Sequence, residues 1–310
     1  MIGNTTWNTT EPARRTLLRG TAAGLASGLL GPAGAAAAAA PHRTGVVARR
    51  AGRYEVLALL DARGTFPGTR EDQFGGATEE AWRRADRIDP RAAGPDGTWR
   101  LSFWCYAVRR PGGRVTLVDT GVGPAGSPAS GWAPVPGRLP RVLADAGVGA
   151  DDVDTVVLTH LHEDHYGWAV DPDGTPLFPD ARHVVQRTEI ASLTPADSAL
   201  SYVVTPLRAA GLLDEADGPV RLAGGGLRAL PTPGHTVGHQ SVLVDGGRRR
   251  IYITGDVLVH AVQLADPSVA YRFERDEPTA RATRTALLSR ARAEHALLAT
   301  AHLNEPFTRT

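Results

Sequence analysis

A seven-residue run at positions 159–165, THLHEDH, constrains this chain most, because it brings three histidines and two acids together. It follows directly on six residues, VDTVVL, that are typical of a buried strand. Residues two apart in an extended segment point to the same side, so His160 and His162 can hold one cation together. Asp164 and His165 come after the chain turns and could hold a second cation. Imidazole and carboxylate suit Zn²⁺ and, to a lesser degree, Fe or Mn.

Three later positions carry the same residue types directly after predicted strands. His235 lies in a Pro-Gly-His-Thr turn, Asp256 follows Gly255, and His302 follows the apolar run 296–299. Ligands that converge from strand ends onto one sheet edge are what a metal site on an α/β scaffold needs. Taken singly, each histidine would more often be structural, and Gly-Asp would often be a turn. The shared pattern favours a metal site.

Composition excludes other classes of protein. The 310 residues are 42% hydrophobic, which is ample for a packed core and argues against a wholly disordered chain. Because 34 basic residues face 33 acidic ones, the formal charge is only +1, which excludes a strongly basic nucleic-acid binder. The single cysteine, Cys105, excludes an intramolecular disulfide and a cysteine-cluster metal site. We therefore expect no nucleic-acid partner.

The first 40 residues are predicted to be a twin-arginine export signal. Arg14 and Arg15 precede a moderately apolar stretch at 20–30 and an alanine run at 35–40. The alternatives are a disordered alanine-rich tail or a membrane anchor. The signal predicts an exported protein that meets the twin-arginine machinery transiently. The remainder, residues 41–310, is predicted to be one folded domain.

Strands alternate with helices from about residue 46 onward, which predicts an α/β layered domain. Helices are predicted at 139–146 and 279–295, and Gly246-Gly247 predicts a hairpin turn. Loops are predicted at 121–137 and 171–179. The apolar runs that predict strands are 54–60, 99–108, 115–118, 153–158, 182–185, 227–230, 241–244 and 250–253.

The motif and the later positions together resemble the metallo-β-lactamase-fold hydrolases, over roughly residue 46 to the C-terminus. The resemblance implies an α/β fold of the αββα four-layer sandwich type, with two metal ions, expected as two Zn²⁺, at one sheet edge. Carried over by position, one ion is held by His160, His162 and His235. The other ion is held by Asp164, His165 and His302, and Asp256 bridges the two. Asp119, after an early strand, matches an acid that orients a ligand from behind.

The same resemblance implies a mechanism. Two zinc ions would share a hydroxide that attacks a lactone, ester or organophosphate centre. Asp164 would assist in protonating the leaving group. The alternatives are a β-lactamase-like amide hydrolase, and a non-hydrolytic iron-dependent oxygenase or metal-binding protein of the same fold. The substrate would be a small molecule, and an oligomer is possible.

Within this family the nearest resemblance is to the lactonase and methyl-parathion-hydrolase group, through 255–258, Gln263, 266–269 and 301–303. Many acyl-homoserine lactonases carry a substrate-contacting Tyr three residues after the bridging Asp. Here that position is Val259, which disfavours acyl-homoserine lactone specificity and leaves general lactone, ester or phosphotriester hydrolysis open.

Several aromatic and histidine residues have two possible roles. Trp132, Tyr166 and Trp168 are expected either to form an apolar lid over the metals or to pack loops onto the sheet. His239 and His260 are expected to support ligands from behind or to line a pocket. The residues expected at the surface or in the core are His42, His183, His295 and Cys105.

Overall fold

Fifteen strands and eight α-helices are formed by residues 45–310, the part of the chain that this computed structural model describes. The predicted export signal at residues 1–40 lies outside the described residues and stays a prediction. The strands are β1 (Val46–Ala51), β2 (Tyr54–Thr69), β3 (Phe74–Gly75), β4 (Thr98–Arg109), β5 (Val115–Val118), β6 (Val153–Val157), β7 (Arg182–Gln186), β8 (Leu213–Ala216), β9 (Val220–Arg221), β10 (Leu227–Pro231), β11 (Gln240–Asp245), β12 (Arg250–Ile253), β13 (Ala270–Tyr271), β14 (Leu297–Ala299) and β15 (Phe307–Thr308). The helices are α1 (Arg70–Gln73), α2 (Glu79–Ile88), α3 (Leu139–Asp145), α4 (Glu163–Tyr166), α5 (Arg187–Ala191), α6 (Thr205–Ala209), α7 (Val262–Ala265) and α8 (Glu277–Ala293).

Two large mixed sheets form the centre of the fold. The first has seven strands in the order β1-β2-β4-β5-β6-β7-β8, and the second has six in the order β15-β14-β12-β11-β10-β9. Strands β5 to β8 are parallel to one another, as are β12 and β14. Strands β3 and β13 pair with each other in a separate two-stranded antiparallel sheet.

Alternating side chains along the strands divide the molecule into four layers. On β2, Val56 and Ala58 face the second sheet, where they are buried with Val242 and Ile253. Their neighbours on β2 point to the other face of the first sheet, which is covered by α3. The outer face of the second sheet is covered by α8, through Leu287, Leu288 and Ala291. The predicted αββα sandwich is therefore confirmed.

One edge of this sandwich collects the residues that follow the strands. Asp119 follows β5, His160 comes shortly after β6, Asp256 follows β12, and His302 follows β14. Because β5 is parallel to β6 and β12 is parallel to β14, the ends of each pair meet at the same side of their sheet. Strand β10 runs in the same direction as β12, since each is antiparallel to β11, so the loop carrying His235 also starts there.

Strands predicted from apolar runs agree with the structure. Differences occur where a strand contains residues that are not apolar. The strands predicted at 115–118 and 250–253 have the observed bounds. Strand β2 continues to Thr69, beyond the predicted end at residue 60, because it pairs with β4 through two bulges although its later residues are partly exposed. The sequence analysis does not predict β1, an edge strand whose middle residues, 48–50, are exposed.

Helix α8 is shifted from its predicted range of 279–295 by its capping residues. The side chain of Asp276 accepts a hydrogen bond from the backbone N–H of Thr279 at 3.1 Å, so the helix begins at Glu277. At the other end His295 takes a left-handed conformation with φ of 50°, which a continuing helix does not allow. Within residues 45–310, no helix combines the length and the apolar character that crossing a bilayer would require.

A buried ion pair fixes α8 to the segment that precedes it. Arg284 and Glu274 each have 1% of the side chain exposed, and Arg284 Nη1 lies 2.6 Å from Glu274 Oε1. Arg284 also donates from Nε to the carbonyl of Pro267 and from Nη2 to that of Val269, each at 2.9 Å. Burial raises the pKa of Glu274, and the Arg284 charge offsets part of that effect.

We predict that Arg284→Met lowers the free energy of unfolding by about 3–5 kcal/mol, because it leaves the Glu274 carboxylate buried without its partner. Urea unfolding followed by circular dichroism measures the change. The matched control is Arg281→Met on the same helix, which removes a half-exposed pair with Glu277 that contributes only about 0.3–0.5 kcal/mol. Equal losses in the two variants would contradict the role given to the buried pair.

Candidate metal centre

Seven side chains from five segments meet at the sheet edge. Six of them are almost fully buried and the seventh, His162, is half-buried. The loop after β6 supplies two histidines, and the short helix α4 supplies an acid and a histidine. The other three residues follow β10, β12 and β14. The structure thus brings together every residue named above as an expected ligand: His160, His162, Asp164, His165, His235, Asp256 and His302.

Three histidines form the first group. The Nδ1 atom of His162 lies 3.0 Å from His160 Nε2 and 3.0 Å from His235 Nε2. These three nitrogens face a common point, and all lie within 4.8 Å of one another. The backbone explains the pairing of the first two, since the extended segment after β6 sends residues 160 and 162 to the same side. We call His160, His162 and His235 the first group.

A mixed set of acid and histidines forms the second group. Asp164 Oδ2 lies 3.4 Å from His165 Nε2 and 3.4 Å from His302 Nε2. Asp164 and His165 are adjacent in α4, whereas His302 arrives from the second sheet. We call Asp164, His165 and His302 the second group.

Asp256 lies between the two groups and turns one carboxylate oxygen to each. Its Oδ2 atom is 3.4 Å from His235 Nε2 and 3.9 Å from His160 Nε2. Its Oδ1 atom is 3.1 Å from His302 Nε2 and 3.5 Å from His165 Nε2. This is the arrangement of a carboxylate that can bridge two cations.

The residues present fit a pair of metal ions. Among the residues that the structure describes, His165 Nε2 and Asp256 Oδ1 are buried polar atoms without a hydrogen-bond partner, although both point into the cluster. Buried polar atoms are rarely left unpaired, so such atoms call for an explanation. Imidazole nitrogens with carboxylate oxygens form a donor set that suits zinc. The two groups are therefore able to bind metal ions.

Charge separates the two groups. Burial lowers the pKa of His160 well below its usual value, and the neighbouring His165 and His162 lower it further. Burial likewise lowers the pKa of His235, an effect that Asp256 offsets only in part. His160 and His235 are therefore neutral imidazoles, whose lone pairs are free for a cation.

The second group is dominated by its acids. Burial acts to lower the pKa of His165, but Asp164, Asp256 and Asp119 outweigh it and raise the pKa well above its usual value. Burial acts to raise the pKa of Asp256, but His302 and His165 outweigh it and hold the pKa well below its usual value. A cation entering this group therefore competes with a proton on a histidine.

Asp119 holds His165 and the start of the histidine loop. Its Oδ2 accepts a hydrogen bond from His165 Nδ1 at 2.9 Å, which leaves Nε2 as the nitrogen that faces the cluster. Its two oxygens also accept bonds from the backbone N–H of Thr159 at 2.7 Å and from the Thr159 hydroxyl at 2.9 Å. Asp119 does this from a left-handed backbone, with φ of 59°, which asparagine and aspartate tolerate best among residues with a side chain. His302 is oriented similarly, since its Nδ1 donates to the carbonyl of Ser102 at 3.1 Å.

Two further residues, outside both groups, accept hydrogen bonds from the backbone of the segments that carry the cluster. His239 Nε2 accepts a hydrogen bond from the backbone N–H of Asp256 at 2.9 Å, in line with the supporting role expected for it. Burial lowers the pKa of His239 to about 3, so the ring stays neutral and can accept that bond. Glu189, which the sequence analysis does not select, contacts both loops of the first group. The sequence feature that could have identified Glu189 is its position just after β7, because β7 is parallel to β6 and ends at the same sheet edge.

A cavity of about 550 Å³ opens onto the cluster. Its walls are mainly aromatic and apolar, and Asp164, His162 and Asp256 are at its floor. Such concave, mostly apolar sites with a few convergent polar groups are typical of small-molecule binding. The aromatic residues of the wall are Phe66, Trp99, Trp132, Tyr271 and Phe273.

Of the three aromatic residues expected either to form a lid or to pack loops, only one lies at the cavity. Trp132 lines the cavity and donates from Nε1 to Glu163 Oε2 at 2.9 Å. Tyr166 is fully buried in the core, and Trp168 packs against the same core and donates to Asp61 at 3.2 Å. The packing role is therefore the observed one for these two residues.

The remaining histidines are not at the cluster. His260 is buried among aromatic rings, including Phe74 and Trp99, and does not line the cavity. His183 and Cys105 are buried in the core, and His295 is exposed. His42 lies outside the described residues.

Fold and cluster together define an αββα sandwich that carries, at one edge, two groups of residues able to bind metal ions. The chain belongs to the metallo-beta-lactamase superfamily, whose sequence profile matches residues 100–302. It is 29% identical over 158 residues to an N-acyl homoserine lactonase from a Bacillus species, a match that covers 47% of this chain and 59% of that relative.

Solved structures resemble the fold over most of the chain. A hydrolase of the beta-lactamase superfamily, AbOPH, superposes with a TM-score of 0.70 at 24% identity and covers 84% of this chain and 91% of its own. AidC, described as a dizinc quorum-quenching lactonase, superposes with a TM-score of 0.69 at 19% identity and covers 86% of this chain and 94% of its own. At these identities the superpositions show the shared fold.

We predict that Asp119→Asn weakens zinc binding by about 10- to 100-fold, because the new amide group faces the donors on His165 and Thr159 instead of accepting from them. Asparagine keeps the left-handed backbone, so the change reports on the carboxylate. Competition against a chromogenic chelator measures the affinity. Asp245→Asn, at the far end of β11, is the control and should bind zinc like the unaltered protein. Unchanged zinc affinity in Asp119→Asn would contradict the role given to the Asp119 carboxylate in orienting His165.

Proposed function

We propose that this protein is a metal-dependent hydrolase that acts on small lactones and esters with an apolar acyl part, with phosphotriesters as related substrates. The observation that carries the proposal is Asp256, whose two oxygens face two groups of three donors at the floor of an apolar cavity. The similarity to a Bacillus N-acyl homoserine lactonase supports a lactone as the substrate class.

In this proposal the seven side chains hold two zinc ions. The first group would hold one ion and the second group the other, with Asp256 contributing to both. When bound, the ions would supply a hydroxide nucleophile near neutral pH and polarise the attacked oxygen. Asp119, His239 and Ser102 would keep the donor atoms in place without meeting the ions.

The cavity walls select the substrate. Phe66, Trp132 and Phe273 would bury the apolar acyl part and exclude water from the reacting centre. Val259 lines the same cavity, at the position where many acyl-homoserine lactonases carry a tyrosine. This chain therefore offers no hydroxyl at that point, which favours simple lactones and esters over acyl-homoserine lactones.

In this proposal Asp164 moves the proton between water and leaving group. Its carboxylate is at the cavity floor, between His165 and His302. In ester hydrolysis water adds to the carbonyl carbon, the acyl C–O bond breaks, and the departing alkoxide takes up a proton. We assign to Asp164 the transfer of that proton from the attacking water to the alkoxide.

The activity test uses zinc-loaded protein and a panel of chromogenic esters, aliphatic lactones, acyl-homoserine lactones and phosphotriesters. We expect hydrolysis that is lost on chelation and restored by zinc, with two zinc ions per chain by metal analysis. We also expect acyl-homoserine lactones to react no faster than simple lactones of equal chain length. Iron with oxygen uptake, or no turnover by protein that holds two zinc ions, would refute the proposal.

The proton-transfer role has its own test in Asp164→Asn. We expect kcat for alkyl esters to fall by about 10²–10⁴-fold, the range for general acid–base groups. The fall for p-nitrophenyl esters should be much smaller, because that leaving group departs without protonation. Because Asp164 is also a donor of the second group, both kinds of ester are assayed with the same zinc-saturated protein, and metal analysis gives its zinc content. Equal falls for both leaving groups would contradict the assignment.

A further inference from the structure

One buried carboxylate close to the cluster belongs to neither group and does not line the cavity. Glu189 is in α5, directly after β7, and is only 3% exposed. A carboxylate is rarely buried unless hydrogen bonds or charges compensate its desolvation. The hydrogen-bond partners of Glu189 therefore indicate which part of the structure it holds in place.

The two oxygens of Glu189 accept hydrogen bonds from two different loops. Oε1 accepts from the backbone N–H of Leu161 at 3.0 Å, and Oε2 accepts from the backbone N–H of Gly238 at 2.8 Å. Leu161 stands between His160 and His162, and Gly238 comes three residues after His235. A single side chain thus joins the two loops that carry the first group.

The close approach of the second loop depends on glycine. A Cβ atom on Gly238 would lie 2.3 Å from the backbone nitrogen of Glu189 and 2.5 Å from its Cβ. Only a residue without a side chain allows the N–H at 238 to reach the carboxylate. The bond from the Gln240 N–H to the carbonyl of Thr159, at 2.8 Å, also joins these segments, at one residue before His160 and five residues after His235.

The second group is held by other residues. Asp119 orients His165, and the carbonyl of Ser102 orients His302. Within the described part of the chain, Glu189 makes no hydrogen bond to Asp164, His165 or His302 through its carboxylate. Its effect is therefore directed at one side of the centre.

We propose that Glu189 is a positioning residue that sets the affinity of the first group for its metal ion. It acts through the backbone of residues 161 and 238 and touches neither the ion nor the substrate. The inference rests on the proposed function, which supplies the two ions.

The main test is Glu189→Gln. Glutamine has nearly the same shape and keeps one accepting oxygen, but its amide group faces the N–H of the other loop. We expect Glu189→Gln to raise the dissociation constant of the first-group ion about 10- to 100-fold over that in the unaltered protein. The first-group ion is then the more weakly bound of the two. After desalting, the variant should retain one zinc per chain where the unaltered protein retains two. Chelator competition and metal analysis measure both quantities without reference to activity.

The identity of the lost ion is read from cobalt absorption spectra. His162→Gln removes a donor of the first group, and His302→Gln removes one of the second. We expect cobalt-loaded Glu189→Gln to match His162→Gln and to differ from His302→Gln. Gly238→Ala, which presses a methyl group against Glu189, should give the same pattern and decides the question if Glu189→Gln does not fold.

Asp61→Asn is the matched control for the loss of a buried carboxylate. Asp61 is fully buried and accepts backbone N–H bonds from Val122, Arg138 and Leu139, and none of these residues belongs to either group. We expect it to retain two zinc ions with unchanged affinities, even if its melting temperature falls.

The outcomes separate the inference from the proposed function. If the unaltered protein holds fewer than two ions, the proposed function fails. If it holds two ions and Glu189→Gln binds both with unchanged affinity, only the inference about Glu189 fails. The inference also fails if Glu189→Gln loses both ions together, or gives the spectrum of His302→Gln.

Discussion

The position of the Asp256 carboxylate is the interaction on which the rest of the site depends. Without it, the first group and the second group would share no donor residue. Each of its oxygens is within 3.9 Å of two histidine nitrogens, one pair in each group. His239 fixes its backbone and the 3-10 turn Gly255–Val257 sets its direction. Two separate sheets therefore produce one centre.

The donor residues could be predicted from the sequence because their positions are local. His160 and His162 follow a recognisable strand at a spacing of two, and Asp256 comes three residues after the end of another strand. An apolar run shows where a strand ends, and the end of a parallel strand shows at which edge its next residues lie. The layered fold follows from the same runs, since each strand needs both of its faces covered.

The support around these donors could not be predicted in the same way. Asp61 is an acid within the long strand β2, and its partners are backbone N–H groups of residues far away in the chain. Glu189 likewise binds backbone groups, which every residue has, so no residue type marks its partners. The cavity wall depends on loop paths: Trp132 turns inward, whereas Trp168, in a neighbouring loop, packs against the core.

The cavity walls and the donor atoms come from largely different stretches of chain. Phe66 belongs to the end of β2, Trp132 to the loop after β5, and Phe273 to the segment before α8, and none of these stretches contributes a donor. A substitution of one wall residue can therefore change which molecules fit the cavity, while the donor residues at the floor stay the same. A scaffold divided in this way lends itself to new specificities through small, separable steps.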